Sequence, residues 1–237
     1  VITVLLEPED FERGRAELMG DAYRHLFRAR RLAAGEELRA VDGQGRARRA
    51  KVSSIDRRRA ELELGEDLPP HEPDYRLELL VASPRPERAS FLVEKATELG
   101  VWAVRFLASE RAPRKYGERQ LERLTRVARA AVEQCQRARV PEVTGVHAWE
   151  ELGELLGAAE DRWLLDPAAD GGPGLERSGE SGAVVIGPEG GFTAAELAQL
   201  DRLDCRRLSL GERILRIETA ALAASAWVLT RGGDGVC

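Results

Sequence analysis

Val184-Val185-Ile186-Gly187-Pro188-Glu189-Gly190-Gly191-Phe192-Thr193 is the stretch on which the reading of this chain turns. It opens with three apolar β-branched residues, the pattern of a buried strand, and breaks at glycine. Thr193 and Glu196 then form a capping box that starts a helix through Leu197 and Leu200. A second stretch repeats the plan: Leu208-Ser209-Leu210-Gly211-Glu212-Arg213-Ile214-Leu215-Arg216-Ile217-Glu218-Thr219-Ala220-Ala221. Backbone-rich turns at the carboxyl ends of strands are where an open α/β sheet binds a small ligand.

Working outward, strand and helix patterns alternate. Leu77 to Ala82, Val101 to Leu107, Trp163 to Leu165, Ala183 to Ile186 and Arg207 to Leu210 read as buried strands. A helix is expected from about Glu87, with Gly100 as its stop. Leu121, Leu124, Ala128, Ala131 and Cys135 recur at helical spacing, which predicts a long helix to about Arg139, before Pro141. Arg119, Arg123 and Arg126 cluster on another part of that helix. Asp170 to Gly174 reads as a loop, and Glu218 to Thr230 as an apolar final helix that wants burial, against a second subunit for example. This alternation implies a mostly parallel sheet with helices on both faces.

Upstream the pattern changes. Glu37 to Val41 and Ala60 to Leu64 alternate as strands, and Asp42-Gly43 with Gln44-Gly45 supplies a hairpin turn. From Arg24 to Arg59 twelve basic residues face four acidic ones. A charge run usually marks a solvated surface, but a positive region within an acidic protein also fits RNA contact. Gly65 to Asp74, with Pro69, Pro70 and Pro73, reads as a linker.

The composition, 43% hydrophobic and 32% charged over 237 residues, fits a soluble globular protein of one or two domains. No apolar run is long enough to span a membrane, and the first residues lack a signal-peptide pattern, so a cytoplasmic protein is expected. Cys135, Cys205 and Cys237 are scattered, as are His25, His71 and His147, which argues against disulfides and predicts no metal site. Lysine supplies three of the 36 basic residues and arginine the rest. A GC-rich genome or heat adaptation accounts for that bias, and arginine is also the better residue for bidentate phosphate contact.

Gly187 to Gly191 lacks the Lys-Ser/Thr of a Walker A loop and does not follow G-x-G-x-x-G, and the chain has no G-x-S-x-G elbow. What the loop offers is exposed backbone, suited to a heterocycle edge or an amino-acid moiety. Taken alone, it fits an ordinary strand-to-helix turn equally well.

The two stretches together carry more. G-P-E-G-G-F-T paired with L-G-E-R-I-L-R-I-E-T-A resembles the 16S ribosomal RNA uridine-N3 methyltransferases, a branch of the SPOUT (trefoil-knot) superfamily. Lys95 to Val101, Ser109-Glu110-Arg111, and Glu133 to Arg137 with Val140-Pro141 resemble that family's interior motifs. Arg24-His25-Leu26, Gly35-Glu36-Glu37 and Asp42 to Gly45 resemble its PUA-like barrel. The family usually carries a polar residue where this chain has Ile217.

The resemblance implies an α/β fold with a PUA-like RNA-binding β-barrel over residues 1–70 and a SPOUT α/β trefoil-knot methyltransferase domain over 71–237. It implies S-adenosyl-L-methionine (AdoMet) held by three loops: Leu165 and Asp166; Gly187, Pro188, Glu189 and Gly190; and Leu210, Gly211 and Leu215. Glu189 orients the cofactor in this reading, or does no more than cap the Thr193 helix. Arg213, Arg216 and Glu218 are the catalytic candidates, the alternative for Arg216 and Glu218 being a structural ion pair. Arg24, Arg28, Arg48, Arg49 and Arg57 are the candidates for RNA contact. The implied partners are 16S rRNA in the small ribosomal subunit and a second copy of the chain, with no membrane. The rival readings are a non-catalytic RNA-binding ribosome-assembly factor, an RNA methyltransferase with another target nucleotide and, less favoured, a nucleotide-binding hydrolase.

Overall fold

A computed structural model describes residues 2–29, 31–112, 115–169 and 177–230, with backbone alone at 25, 28 and 29. The chain forms two compact units, Val1–Glu72 with Arg129–Val140, and Pro73–Ala128 with Pro141–Cys237. The chain changes unit three times: between Glu72 and Pro73, between Ala128 and Arg129, and between Val140 and Pro141.

The first unit contains β1 (Thr3–Leu5), α1 (Pro8–Arg13), β2 (Arg15–Met19), α2 (Gly20–Tyr23) leading into a π-helical turn, β3 (Glu37–Val41), β4 (Ala47–Ile55) and β5 (Arg59–Leu68). Its five strands form one sheet in the order β1-β3-β4-β5-β2. Alternation decides the faces: Ala60 and Leu62 of β5 are fully buried, while Arg59, Glu61 and Glu63 point outward. The expected hairpin joins β3 to β4, with Gly43 at φ +73° and Asp42 Oδ1 accepting from the Gln44 and Arg46 amides. Bulges at Arg48/Ala50 and Val52/Ser54 curl the sheet. One of them also corrects the sequence reading. It resets the register so that β5 runs on to Leu68, opposite Ala47, through residues expected as linker. Leu68 packs there with Val41, Ala47 and Ala138, which an extended linker could not do.

The second unit contains β6 (Arg76–Ala82), α3 (Pro86–Leu99), β7 (Ala103–Leu107), the greater part of α4 (Glu118–Cys135, which belongs to the first unit from Arg129), β8 (Glu142–His147), α5 (Leu152–Gly157), β9 (Asp161–Leu165), β10 (Ser181–Ile186), α6 (Ala194–Arg202), β11 (Arg206–Leu208) and α7 (Ile217–Thr230). The strands form one sheet in the order β11-β9-β10-β6-β7-β8, and every neighbouring pair is parallel. Leu77, Leu79, Leu80 and Val81 of β6 are all fully buried, as expected where both faces of a parallel sheet are covered. The α/β reading with its parallel sheet therefore holds.

Gly100 ends α3 at φ +97°, as expected. The long helix α4 stops at Cys135, short of Arg139. Gln136 takes the left-handed conformation at φ +64°, and Glu72 Oε1 accepts from the Ala138 and Arg139 amides, which draws the chain off the helix axis. The expected loop at 170–174 lies outside the described residues.

Asp161, 2% exposed at the start of β9, anchors the amino-terminal edge of this sheet. It accepts from Tyr75 Oη (2.8 Å), Ser178 N (2.9 Å) and Arg206 Nη2 (2.9 Å). Burial opposes its ionisation, but bonds from Ser178 and Tyr75 and the Arg206 charge outweigh burial and hold its carboxyl below the ordinary value. A lowered folded-state value contributes stability that is present above the unfolded value of about 3.9 and lost as pH falls through the folded one. Asp161→Ala should lower unfolding free energy near pH 7 by roughly 1–3 kcal/mol, by denaturant titration, because it strands the Tyr75 and Ser178 donors while Arg206 stays half-exposed to water. Asp161→Asn should flatten the stability curve below about pH 4. Variants as stable as wild type would show that the network contributes nothing.

Candidate active site

Because the sheet is parallel, the carboxyl ends of its strands share one edge. From β6 the chain proceeds to β7 and β8 on one side, whereas β10, β9 and β11 lie on the other. Such a change of direction leaves a crevice at that edge.

Leu165 is in register with Ile186 of β10 and Leu208 of β11, and the Asp166 amide donates to Leu208 O at 2.8 Å. The three following loops enclose a cavity of about 250 Å³. Leu165, Asp166, Gly187, Pro188, Glu189, Leu210, Gly211 and Leu215 all border it, together with Phe192 of the second loop and Ile217 and Ala220 of α7. Gly190 borders a neighbouring cavity instead.

The glycines have separate reasons. A Cβ on Gly187 would stand 2.9 Å from the Phe192 ring, a distance real side chains do not adopt. Gly211 sits at φ +101°, where any L side chain is strained, and its amide donates to Ser209 Oγ at 3.2 Å. The capping box at Thr193 is formed: Glu196 Oε2 accepts from Thr193 N at 2.7 Å. Its other oxygen accepts from Glu110 N at 2.9 Å, which ties the loop after β7 to α6. Glu189 therefore has no part in that cap. Asp166 gives its carboxylate to Arg207 (3.0 Å) and to the Ala168 amide (2.9 Å), so the cavity receives mainly its backbone.

The second cavity, about 300 Å³, is lined by Ser83, Pro84, Arg85, Arg111, Ala112 and Gly190, and shares Pro188, Glu189 and Ile217 with the first. Arg111 donates to Gly190 O. Arg88 of α3 pairs with Glu189 and approaches Glu218 Oε1 at 3.9 Å. Glu218 is 7% exposed, and its Oε2 has no hydrogen-bond partner among the described residues.

Of the three catalytic candidates, Arg213 borders the first cavity. Arg216 is exposed and makes no ion pair among the described residues, so the Arg216–Glu218 pair considered from the sequence is not formed; Arg88 stands in that place. Arg85 and Arg88 escaped the sequence reading because nothing in their local spacing marks them, and Arg111 entered it only as part of the Ser109-Glu110-Arg111 motif, with no role. They converge only when the loops after β6, β7 and β10 meet at the sheet edge.

Three of the five RNA-contact candidates in the first unit are held by carboxylates. Arg24 pairs with Asp21, Arg48 with Asp67 (2.8 Å), and Arg49 with Glu37 (3.0 Å) and Glu66 (2.9 Å). Arg57 is exposed between β4 and β5, and the Arg28 side chain lies outside the described residues. Among the described residues no group of three or more His, Cys, Asp or Glu side chains could hold a metal ion. Nor is any described helix long and apolar enough to cross a membrane.

Comparison with known proteins adds to this geometry. Residues 71–229 match the model of an RNA methyltransferase domain, and residues 18–65 that of an RNA methyltransferase PUA domain. The chain is 32% identical to the ribosomal RNA small subunit methyltransferase E of Mycobacterium tuberculosis, over 91% of this chain and 87% of that protein. It is 27% identical to the protein of the same name from Bacillus subtilis, over 87% and 86%. The crystal structure of the Neisseria gonorrhoeae ribosomal RNA small subunit methyltransferase E bound to S-adenosyl methionine superposes with a TM-score of 0.84, at 28% identity and 94% coverage of each chain. A putative methyltransferase of Legionella pneumophila, in complex with the same cofactor, gives 0.81 at 26% identity, covering 99% and 98%.

Proposed function

Since the chain belongs to the RNA methyltransferase family, among the ribosomal RNA small subunit methyltransferase E proteins, we propose that it transfers a methyl group from AdoMet to N3 of a specific uridine in 16S rRNA. The observation that carries this reading is the pair of cavities meeting at Pro188, Glu189 and Ile217. One is walled by glycine turns and apolar side chains, the other by serine and arginines.

The first cavity fits the cofactor: Gly187 and Gly211 leave room and backbone where a Cβ would intrude or strain the loop. When bound, AdoMet supplies a sulfonium methyl, whose S–C bond breaks as uridine N3 bonds the carbon. The protein's task is to manage the N3 proton and the charge spreading onto the base oxygens. Glu218 Oε2, buried and without a hydrogen-bond partner among the described residues, is the proton acceptor in this reading, with the Arg88 guanidinium 3.9 Å from the other oxygen. Arg213 and Arg216, unpaired among the described residues, offset the charge on the base.

In the same reading the loops after β9, β10 and β11 form a SPOUT trefoil knot, and two copies associate in the cytoplasm. The strand order, with β11 outside β9, supports the first. The 48% exposure of Phe91 on α3, the helix packed on α7, supports the second, and sedimentation of the purified chain tests it. The first unit's part in holding RNA falls in this reading on Arg24, Arg28, Arg48, Arg49 and Arg57, of which Arg24, Arg48 and Arg49 would have to exchange carboxylates for phosphates.

The test is incubation with methyl-labelled AdoMet and either 16S rRNA or small ribosomal subunits, followed by nucleoside mass spectrometry. The expected product is 3-methyluridine at one position. A methyl group on ribose, on guanine or on tRNA would overturn the target, and no transfer to any RNA would overturn the activity.

A further inference from the structure

We propose that the arginine stripe Arg119, Arg123 and Arg126 on α4 is a phosphate-binding track along which the second unit itself grips RNA. The inference rests on the RNA-modifying reading above and adds a binding surface to it.

The stripe is set by helical geometry. The three residues, four and three apart, fall on one exposed face. They cover about 10 Å of helix axis, a length comparable to about three phosphate intervals along a nucleic-acid strand. Among the described residues none of the three makes an ion pair, although Glu118 and Glu122 are neighbours on the same helix. Like charges four apart, as at Arg119 and Arg123, destabilise an isolated helix. The stripe therefore brings α4 no stability of its own.

Its place matters equally. The strands are parallel and α4 follows β7, so its first turn, with Arg119, stands at the sheet edge where the two cavities open. Arg85 and Lys115 occur in loops at that edge, exposed and likewise without an ion pair among the described residues. The richer cluster of the first unit is the opposite case. There Arg46, Arg48, Arg49 and Arg59 are each paired with one or two carboxylates, which cancels most of their attraction for phosphate. The sequence run from Arg24 to Arg59 looks more basic than the α4 stripe, but five of its twelve cations are held by carboxylates. An unpaired row of planar guanidinium groups suits the bidentate geometry of phosphate oxygens.

The experiment measures binding of a 16S rRNA fragment to the full chain as a function of salt, for wild type and three variants. Arg119→Gln/Arg123→Gln/Arg126→Gln should lower the log–log salt slope by about 2 to 3, at roughly 0.7–0.9 per lost phosphate contact. Glutamine is a good helix former, and unchanged AdoMet affinity in this variant reports an intact second unit. Arg119→Lys/Arg123→Lys/Arg126→Lys should keep most of the slope, because the charge remains. Arg48→Gln/Arg49→Gln should change it by less than about 1. An unchanged slope in the glutamine triple variant, or a loss confined to the Arg48/Arg49 variant, would overturn the proposal. The same samples are assayed for methyl transfer. Wild type that binds the fragment with the predicted slopes but transfers no methyl group supports the track and overturns the methyltransferase reading. Methylating wild type with an unaltered slope in the triple variant does the reverse.

Discussion

Ala220→Phe should abolish AdoMet binding and leave the protein folded. Ala220 lies on α7 and borders the first cavity, whose volume is about 250 Å³. A cavity on the order of 150 Å³ is enough to hold a benzene ring, so one phenyl group takes a large share of the space. The substitution is mild elsewhere, because Ala220 is half-buried on a helix whose packing rests on Ala221, Ala224 and Val228. Calorimetry should show affinity falling by at least about 100-fold, close to 3 kcal/mol, with an unchanged circular dichroism spectrum. Turnover should fall with binding. Wild-type affinity in this variant would move the cofactor to another part of the molecule.

The second large effect is expected at Arg216 and Glu218, and here binding and turnover should separate. Arg216→Ala should lower kcat by about 10²–10³-fold, the loss found when one donor to a developing negative charge is removed. Glu218→Gln should lower it by about 10²–10⁴-fold, because the amide keeps the shape of the side chain but cannot accept a proton. Neither change should alter AdoMet affinity more than a few-fold, since neither residue borders the first cavity. Arg216→Lys should recover part of the rate, because a point charge replaces only part of a planar fork. Equal losses in cofactor affinity and in turnover would instead mean that both residues merely hold the start of α7.

Much of this was legible in the chain. The strand-to-glycine break at Ile186-Gly187 located the first turn, because a buried strand ending in glycine is a local pattern. The stop at Gly100 and the capping box at Thr193 were legible for the same reason. The strand expected over Arg207 to Leu210, in contrast, is the edge strand Arg206–Leu208, with both arginines exposed and the turn beginning at Ser209. The strand β8 escaped, since Glu142 to His147 is only partly buried and lacks an apolar run. The end of β5 was misread because Asp67 and Leu68 pair with β4, a partner distant in sequence, across an irregularity in which three residue steps of β5 oppose two of β4.

The sequence by itself determined most of the strands and helices of the parallel sheet, and through its motifs the family. Those properties follow from side-chain periodicity and backbone preference over a few neighbouring residues. Only the tertiary structure decided which charges are available. Arg48 and Arg49 sit in the most basic run yet are held by Asp67, Glu37 and Glu66, while Arg119, Arg123 and Arg126 sit beside two glutamates and pair with neither. It also decided that Glu218 meets Arg88, a residue of another helix, and leaves Arg216 without an ion pair among the described residues. Coulomb attraction acts through space at a few ångströms, so the partner of a charge is fixed by strand register and helix packing and not by its position along the chain.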